Sequence, residues 1–235
     1  MNLEEIMKKL EELGSEQTKN TFFRHGIKEP CFGVKVGDLK KLVKYVKKDQ
    51  DLALVLYNTG NHDAMYLAGL SINPSLIDKE TLQEWVRKAY WYMLAEYTVA
   101  WVAAESNFAI ELAKEWMQSP NEMIAVCGWS TYSGYISITP DDQLDLSEIR
   151  ELLHEIEENV HGEQNRVRYV MNGFVIGVGA SVTSLYDEAM RIAEKIGKVH
   201  VDVGNSACKV PLAAEYIKKV EERGKLGIKK KTCIC

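Results

Sequence analysis

Phe108-Ala109-Ile110-Glu111-Leu112-Ala113-Lys114-Glu115-Trp116-Met117-Gln118-Ser119-Pro120-Asn121-Glu122 holds the pattern from which the fold is read. Phe108, Ile110, Leu112, Ala113, Trp116 and Met117 recur at helical spacing. Immediately afterwards Ser119 offers a capping oxygen, Pro120 the fixed φ of a first turn, and Glu122 the carboxylate of a capping box. One helix stops and another starts within a few residues. So short a connection folds the two helices back against each other.

The same grammar runs outward in both directions. Leu3, Ile6, Met7, Leu10 and Leu13 form a stripe that Gly14 ends. Ser15 caps a short helix over 16–25, and a loop with Pro30 and Gly33 follows. Leu39, Leu42, Val43 and Val46 make the next stripe, with Lys40, Lys41, Lys44, Lys47 and Lys48 largely off it. A helix over 52–57 precedes one capped by Asn61 through Ala64, Leu67, Ala68 and Leu70. Asp78 opens a helix through Leu82, Trp85 and Val86, and 91–104 reads as one long aromatic, alanine-rich helix. After a polar break at 141–146, helices fit 147–159, 163–176, 184–196 with Ser184 as cap, and 211–223. Val199, Val201 and Val203 alternate over 198–211, which reads as an isolated extended segment. About a dozen short helices with brief connections predict an all-α chain of stacked helix pairs, with an irregular orthogonal bundle as the alternative. The expectation is a single domain, residues 1–235, carrying a basic tail at 224–235.

Composition narrows the class. The chain has 235 residues, 46% hydrophobic and 27% charged, as in ordinary globular proteins. No apolar run approaches the roughly 20 residues that span a bilayer, so no membrane partner is expected. The start, Met1-Asn2-Leu3-Glu4-Glu5, is acidic and amphipathic rather than secretory, so the cytoplasm is the expected compartment. Five scattered cysteines fit reduced thiols. Net charge is −5, yet residues 24–48 hold eight Lys or Arg against two acids, and residues 218–235 hold seven against two. Two basic segments on an acidic body suit a polyanion. Solvated lysines and a disordered tail would give the same count.

Two stretches carry candidate chemistry: Tyr90-Trp91-Tyr92-Met93-Leu94-Ala95-Glu96-Tyr97 and Met171-Asn172-Gly173-Phe174-Val175-Ile176-Gly177. On a helix, Tyr92 and Glu96 point the same way. An aromatic plane beside a carboxylate suits a flat ligand on which positive charge develops. Spacing alone does not separate this from a core aromatic beside a solvated or capped glutamate. Gly173, Gly177 and Gly179 do not follow a strand, so there is no dinucleotide fingerprint, and no cofactor is expected. Cys233-x-Cys235 with Cys208 or His200 could ligate a metal, but a mobile reduced tail is the better reading, and no metal is expected. Asn205-Ser206-Ala207-Cys208-Lys209 reads as a capped loop in preference to a phosphate site. Trp85, Trp101, Trp116 and Trp129 read as core.

The segments Phe32-Gly33-Val34-Lys35-Val36-Gly37-Asp38-Leu39-Lys40-Lys41, Asp63-Ala64-Met65-Tyr66-Leu67-Ala68-Gly69-Leu70 and Glu96-Tyr97-Thr98-Val99-Ala100-Trp101-Val102-Ala103-Ala104-Glu105-Ser106, with the tail Lys229-Lys230-Lys231-Thr232-Cys233, resemble a subgroup of the DNA alkylation repair family, the AlkD-like HEAT-repeat proteins. The resemblance extends from about Asn20 to Lys231. It implies a HEAT-like helical solenoid that cradles duplex DNA, acting as or descending from a glycosylase that releases N3- and N7-alkylated purines. It implies duplex DNA, alkylated or not, as partner, and a monomer is expected. The family's Trp-Trp-Asp-x-x-Asp arrangement falls on Trp91, Tyr92, Met93 and Glu96, so Glu96 is the implied catalytic carboxylate, placed with Tyr92 and Trp91. A family Gly-Trp pair falls on Gly173 and Phe174, a further implied stacking surface. Val126 stands where the family carries a backbone-directed arginine. Charge and helix placement make Lys35, Lys40, Lys44, Arg166, Arg168, Lys209, Lys229, Lys230 and Lys231 candidate phosphate contacts. A helical-repeat scaffold without enzymatic activity, binding protein or branched nucleic acid, is the alternative.

Overall fold

The computed structural model describes residues 1–28 and 30–234, and every regular element among them is helical. The order is α1 (Leu3–Leu13), α2 (Glu16–Arg24), α3 (Val36–Val46), α4 (Gln50–Asn58), α5 (His62–Ser71), α6 (Lys79–Lys88), α7 (Tyr92–Leu94), α8 (Ala100–Ala104), α9 (Ala109–Met117), α10 (Glu122–Ile138), α11 (Leu146–Asn159), α12 (Asn165–Ser181), α13 (Tyr186–Ile196) and α14 (Ala213–Glu222). Two rows result. One runs α3, α5, α7–α8, α10, α12, α14, each packed on the next. The other consists of α4, α6, α9, α11 and α13, and α4, α9 and α13 each fold against an adjacent member of the first row. This is the serial pairing of a helical solenoid, in which each unit buries its apolar face on its neighbours. No single helix among the described residues is long and apolar enough to cross a membrane.

The core lies between the rows. Trp85, Trp116, Trp129, Tyr132 and Phe174 are fully buried there, and Tyr57 stacks on Trp85 with centroids 3.9 Å apart. Close approach of α9 and α10 depends on Gly128, where a Cβ would lie 2.5 Å from the Met117 backbone nitrogen. Trp101 departs from the sequence reading. It is only partly buried and borders a cleft, in edge contact with Tyr97.

Helix starts follow the expected caps at Ser15, Asn61 and Asp78, whose side chains accept from Thr18, Ala64 and Thr81 N–H groups. Two caps move. At α10 the cap is Asn121, accepting from Met123 and Ile124, while Ser119 bonds the Asn121 N–H one step earlier. At α13 no side chain caps, because a single 3₁₀ turn, Thr183–Leu185, leads directly into the helix. The segment 198–211 is irregular. The helix read over 91–104 is interrupted. Trp91 precedes it in extended conformation, and Ala95–Val99 form a π turn in which the Ala100 N–H reaches back five residues to Ala95.

Over its described residues the tail packs onto the body. Glu105 accepts from the Thr232 hydroxyl and the N–H groups of Cys233 and Ile234. The Lys230 N–H bonds Ser137 O, and buried Cys233 packs against Gly134. Cys235, half of the Cys-x-Cys pair, lies outside the described residues.

Asp63 ties the N-terminal loop to α5. Its carboxylate accepts from the N–H groups of Phe32, Gly33 and Val34 at 2.6, 3.1 and 2.9 Å. Burial pushes this carboxyl up, and the three backbone donors oppose that shift. Asp63→Ala would leave three donors unpaired, so a loss of about 3 kcal/mol or more is expected in urea unfolding.

Glu157 on α11 bonds Arg191 and Lys195 of α13. Arg191, then Lys195 and His154, hold its carboxyl well below the usual range. Such a group stabilises the fold above the ordinary glutamate pKa of about 4.3 and loses that contribution as pH falls below it. Glu157→Gln is expected to be less stable at pH 7 and to lose less than wild type between pH 5 and pH 3, as read by unfolding at each pH.

Candidate functional site: two joined clefts

The first row opens two clefts that meet at Tyr97 and Tyr169, residues common to both. The larger holds about 920 Å³. Its walls come from the end of α2 (Arg24, His25), the segment Tyr90–Met93, the first turns of α10 (Glu122, Met123) and α12 (Asn165, Arg166, Tyr169), and the loop at 202–208. That loop is drawn in at Gly204, whose φ is +70° and where a Cβ would lie 2.7 Å from the Arg24 carbonyl oxygen. The smaller cleft, about 400 Å³, runs between α10 and α12 toward α14 and the tail.

Glu96 sits beneath the junction, in the π turn, with 4% of its surface exposed. Such turns insert one residue into the helical register and are frequent at functional sites. Arg166 grips both carboxylate oxygens, Nε on Oε1 and a terminal nitrogen 2.9 Å from Oε2. The guanidinium is sandwiched between two rings, 4.0 Å from the Tyr92 centroid and 3.9 Å from that of Tyr169. Glu122 accepts the Arg166 backbone N–H at 2.6 Å. Asn165 exchanges two hydrogen bonds with the backbone of Asp202, pinning the loop to the start of α12. Burial pushes the Glu96 carboxyl up and Arg166 pulls it back. Burial also works against the charge on Arg166, but Glu96 outweighs it and the guanidinium is held charged. Burial pushes the Tyr92 phenol up to about 12.

Tyr92 and Glu96 thus serve one partner from one side, but that partner is an arginine of this chain. Arg166 bonds Glu96 through Nε and one terminal nitrogen while bordering the larger cleft. Trp91 is buried, donates its ring N–H to the His25 carbonyl, and packs on His62 and Phe22, leaving Tyr92 as the open ring. Burial holds His62 down at about 3, so no charge stands behind it. Phe174 is 0% exposed and packs against Trp129 and Tyr132, so the structure corrects its reading as a stacking surface. Phe174 offers no face to a ligand, because that side of α12 faces the core. Val126 is likewise buried, so its position faces the core and not a cleft. Met93 is half-buried and borders the larger cleft.

The basic residues divide. Lys35, Lys40 and Lys44 are exposed on α3, at its cap and along it, outside both clefts. Arg168 reaches toward Asn165. Lys209 is exposed beyond the cleft loop. Lys229 is partly buried, bonded to the Ile136 carbonyl and 2.8 Å from Asp141, so its ammonium is already engaged within the chain. Lys230 borders the smaller cleft and Lys231 is exposed beside it. No group of three acidic, His or Cys side chains among the described residues could hold a metal ion. Cys208 borders the larger cleft, whereas Cys233 borders the smaller. The sequence reading missed Glu122, Asn165 and Tyr169. Their helix-start spacing was visible, but their partners lie on other helices.

Residues 6–217 match the family described as DNA alkylation repair enzyme. The uncharacterized protein Lmo0209 of Listeria monocytogenes is 35% identical over 231 residues, covering 96% of this chain and 100% of the relative. The uncharacterized protein Lin0241 of Listeria innocua is 32% identical, covering 95% and 99%. A solved structure from a family related to the HEAT-like repeat DNA glycosylases, with affinity for branched DNA structures, superposes with a TM-score of 0.92 at 36% identity over all of both chains.

Arg166→Ala would leave Glu96 buried without a counter-ion. A loss of about 3–5 kcal/mol is expected in urea unfolding at pH 7. Without its partner the carboxyl titrates high, so the folded state binds the extra proton and part of the loss should return as pH falls toward 5. Arg166→Met with Glu96→Gln should recover most of it.

Proposed function

Because the chain belongs to the DNA alkylation repair family, we propose that it is a DNA-binding protein that recognises branched duplexes and, as folded, excises no base. The observation that carries this is the closure of Glu96 by Arg166. Release of an N3- or N7-alkylated purine develops positive charge on the sugar, and a fixed carboxylate would stabilise it. Here the carboxylate's field is cancelled by a guanidinium at hydrogen-bond distance, and both oxygens are occupied. A cationic sugar approaching this point meets Arg166 and the two tyrosine rings. The affinity of the superposing structure's family for branched DNA supports the binding half of the reading. The exposed lysines of α3 and the tail lysines Lys230 and Lys231 supply positive charge for phosphates.

Base excision is the second reading, favoured by the retained pairing of Glu96 with Tyr92 at the junction of the clefts. It requires Arg166 to leave the carboxylate when DNA binds.

One experiment separates them. Wild-type protein is titrated with a four-way junction and with linear duplex across a salt series, beside a base-release assay on methylated duplex. Expected are tighter binding to the junction, affinity falling steeply with salt, and no released base. Release that Glu96→Gln lowers by about 10²-fold or more would establish the excision reading instead. No binding to either DNA at low salt would reject both.

A further inference from the structure

We propose that the smaller cleft is a slot for one unstacked nucleobase at a DNA branch point; this deepens, and rests on, the reading of the chain as a branched-DNA binder. Its floor is bare backbone. Gly173 and Gly177 lie one turn apart on α12, and a Cβ at either would meet nothing within 4 Å. Glycine inside a helix costs stability relative to alanine, and tight packing explains it elsewhere in α10 and α12. At Gly128 an added Cβ would strike backbone of α9, and at Gly179 the side chain of Ile217. Gly173 and Gly177 have no such neighbour, so the space above them is left open. Facing them, α10 contributes Ser133, Gly134 and Ser137 to the same cleft.

Aromatic rings surround this floor. Tyr97 and Trp101 stand in edge contact with centroids 5.4 Å apart, and Tyr169 and Tyr216 border the same space. Tyr216 is 49% exposed, so its ring is presented to solvent and not spent on the core. The volume of about 400 Å³ admits a flat ring system in a way that a duplex, with its bases stacked, cannot enter. Lys230 stands at the rim, carried there by a tail that Glu105 and Asp141 anchor. Glu96, the acid that borders the cleft, is neutralised by Arg166. The chemistry is therefore aromatic faces for stacking, small residues that let a backbone approach, and a cation for the adjoining phosphate. Bases at a branch are already unpaired or weakly stacked, so their extrusion costs least. Stacking one base on an aromatic side chain is worth roughly tenfold to a hundredfold in affinity.

The test uses full-length protein and a three-way branched DNA carrying one unpaired 2-aminopurine at the branch, beside the same sequence as a paired duplex. Wild type is expected to quench the 2-aminopurine on binding. Gly177→Leu fills the slot where space is open, so its helical circular dichroism should match wild type. It is expected to lose about tenfold or more in affinity for the branch, to leave duplex affinity unchanged, and to abolish the quench. Tyr216→Ala should lose part of both signals. Gly177→Leu binding and quenching like wild type, or weakening branch and duplex equally, would overturn the slot. Wild type binding the branch without any change in 2-aminopurine would also reject it, while leaving the DNA reading standing. Wild type binding neither DNA would reject that parent reading, and the slot with it.

Discussion

A buried carboxylate, Glu96, and the guanidinium of Arg166, itself stacked between two tyrosine rings, tie together the middle of this molecule. Taking Glu96 and Arg166 out of water is expensive, and only near-ideal geometry offsets it. The structure supplies that geometry from several directions. The π turn at Ala95–Val99 aims Glu96 at α12. Glu122 fixes the Arg166 backbone, Tyr92 and Tyr169 clamp its guanidinium, and Asn165 ties the adjacent loop to the same helix start. The pair therefore sets how α7, α10 and α12 meet, and so where the two clefts join.

The same pair decides the chemistry available there. A catalytic carboxylate needs an unopposed charge facing the substrate, whereas this one faces an arginine of its own chain. What remains around it is tyrosine rings, bare glycine backbone on α12, serines on α10, and a lysine delivered by the tail. The helical solenoid makes this surface by lining up one face of every second helix. No single helix holds a site, and the groove exists because the rows are packed in series.

Legibility in the sequence follows the range of the interaction. Ser15, Asn61 and Asp78 cap as read, because a cap involves residues two or three positions apart. Ser119 gave way to Asn121 at α10, a shift of two residues between neighbouring cap candidates. The π turn escaped detection, since the aromatic and alanine pattern of 91–104 fits an uninterrupted helix equally well. Trp101 read as core by residue type, and only the open ground beside α10 and α12 left it at a cleft. The tail's lysines and cysteines looked like a solvated end. Glu105, more than a hundred positions away, holds Thr232, Cys233 and Ile234 in place.

The sequence by itself determined the helices and pointed to a serial all-α stack, because apolar periodicity and caps are local and survive without partners; the family came from the resemblance of particular segments such as 32–41 and 96–106. Only the tertiary structure decided which charges meet. Glu96 finds Arg166 seventy positions along the chain, and Asp63 finds a loop thirty positions back. Nothing in local spacing distinguishes Arg166 from Arg168, yet one faces the carboxylate and the other does not. Two residues along a helix turn a side chain by about 200°, so the packing of α12 against α7 and α10 converts a difference invisible in composition into opposite roles.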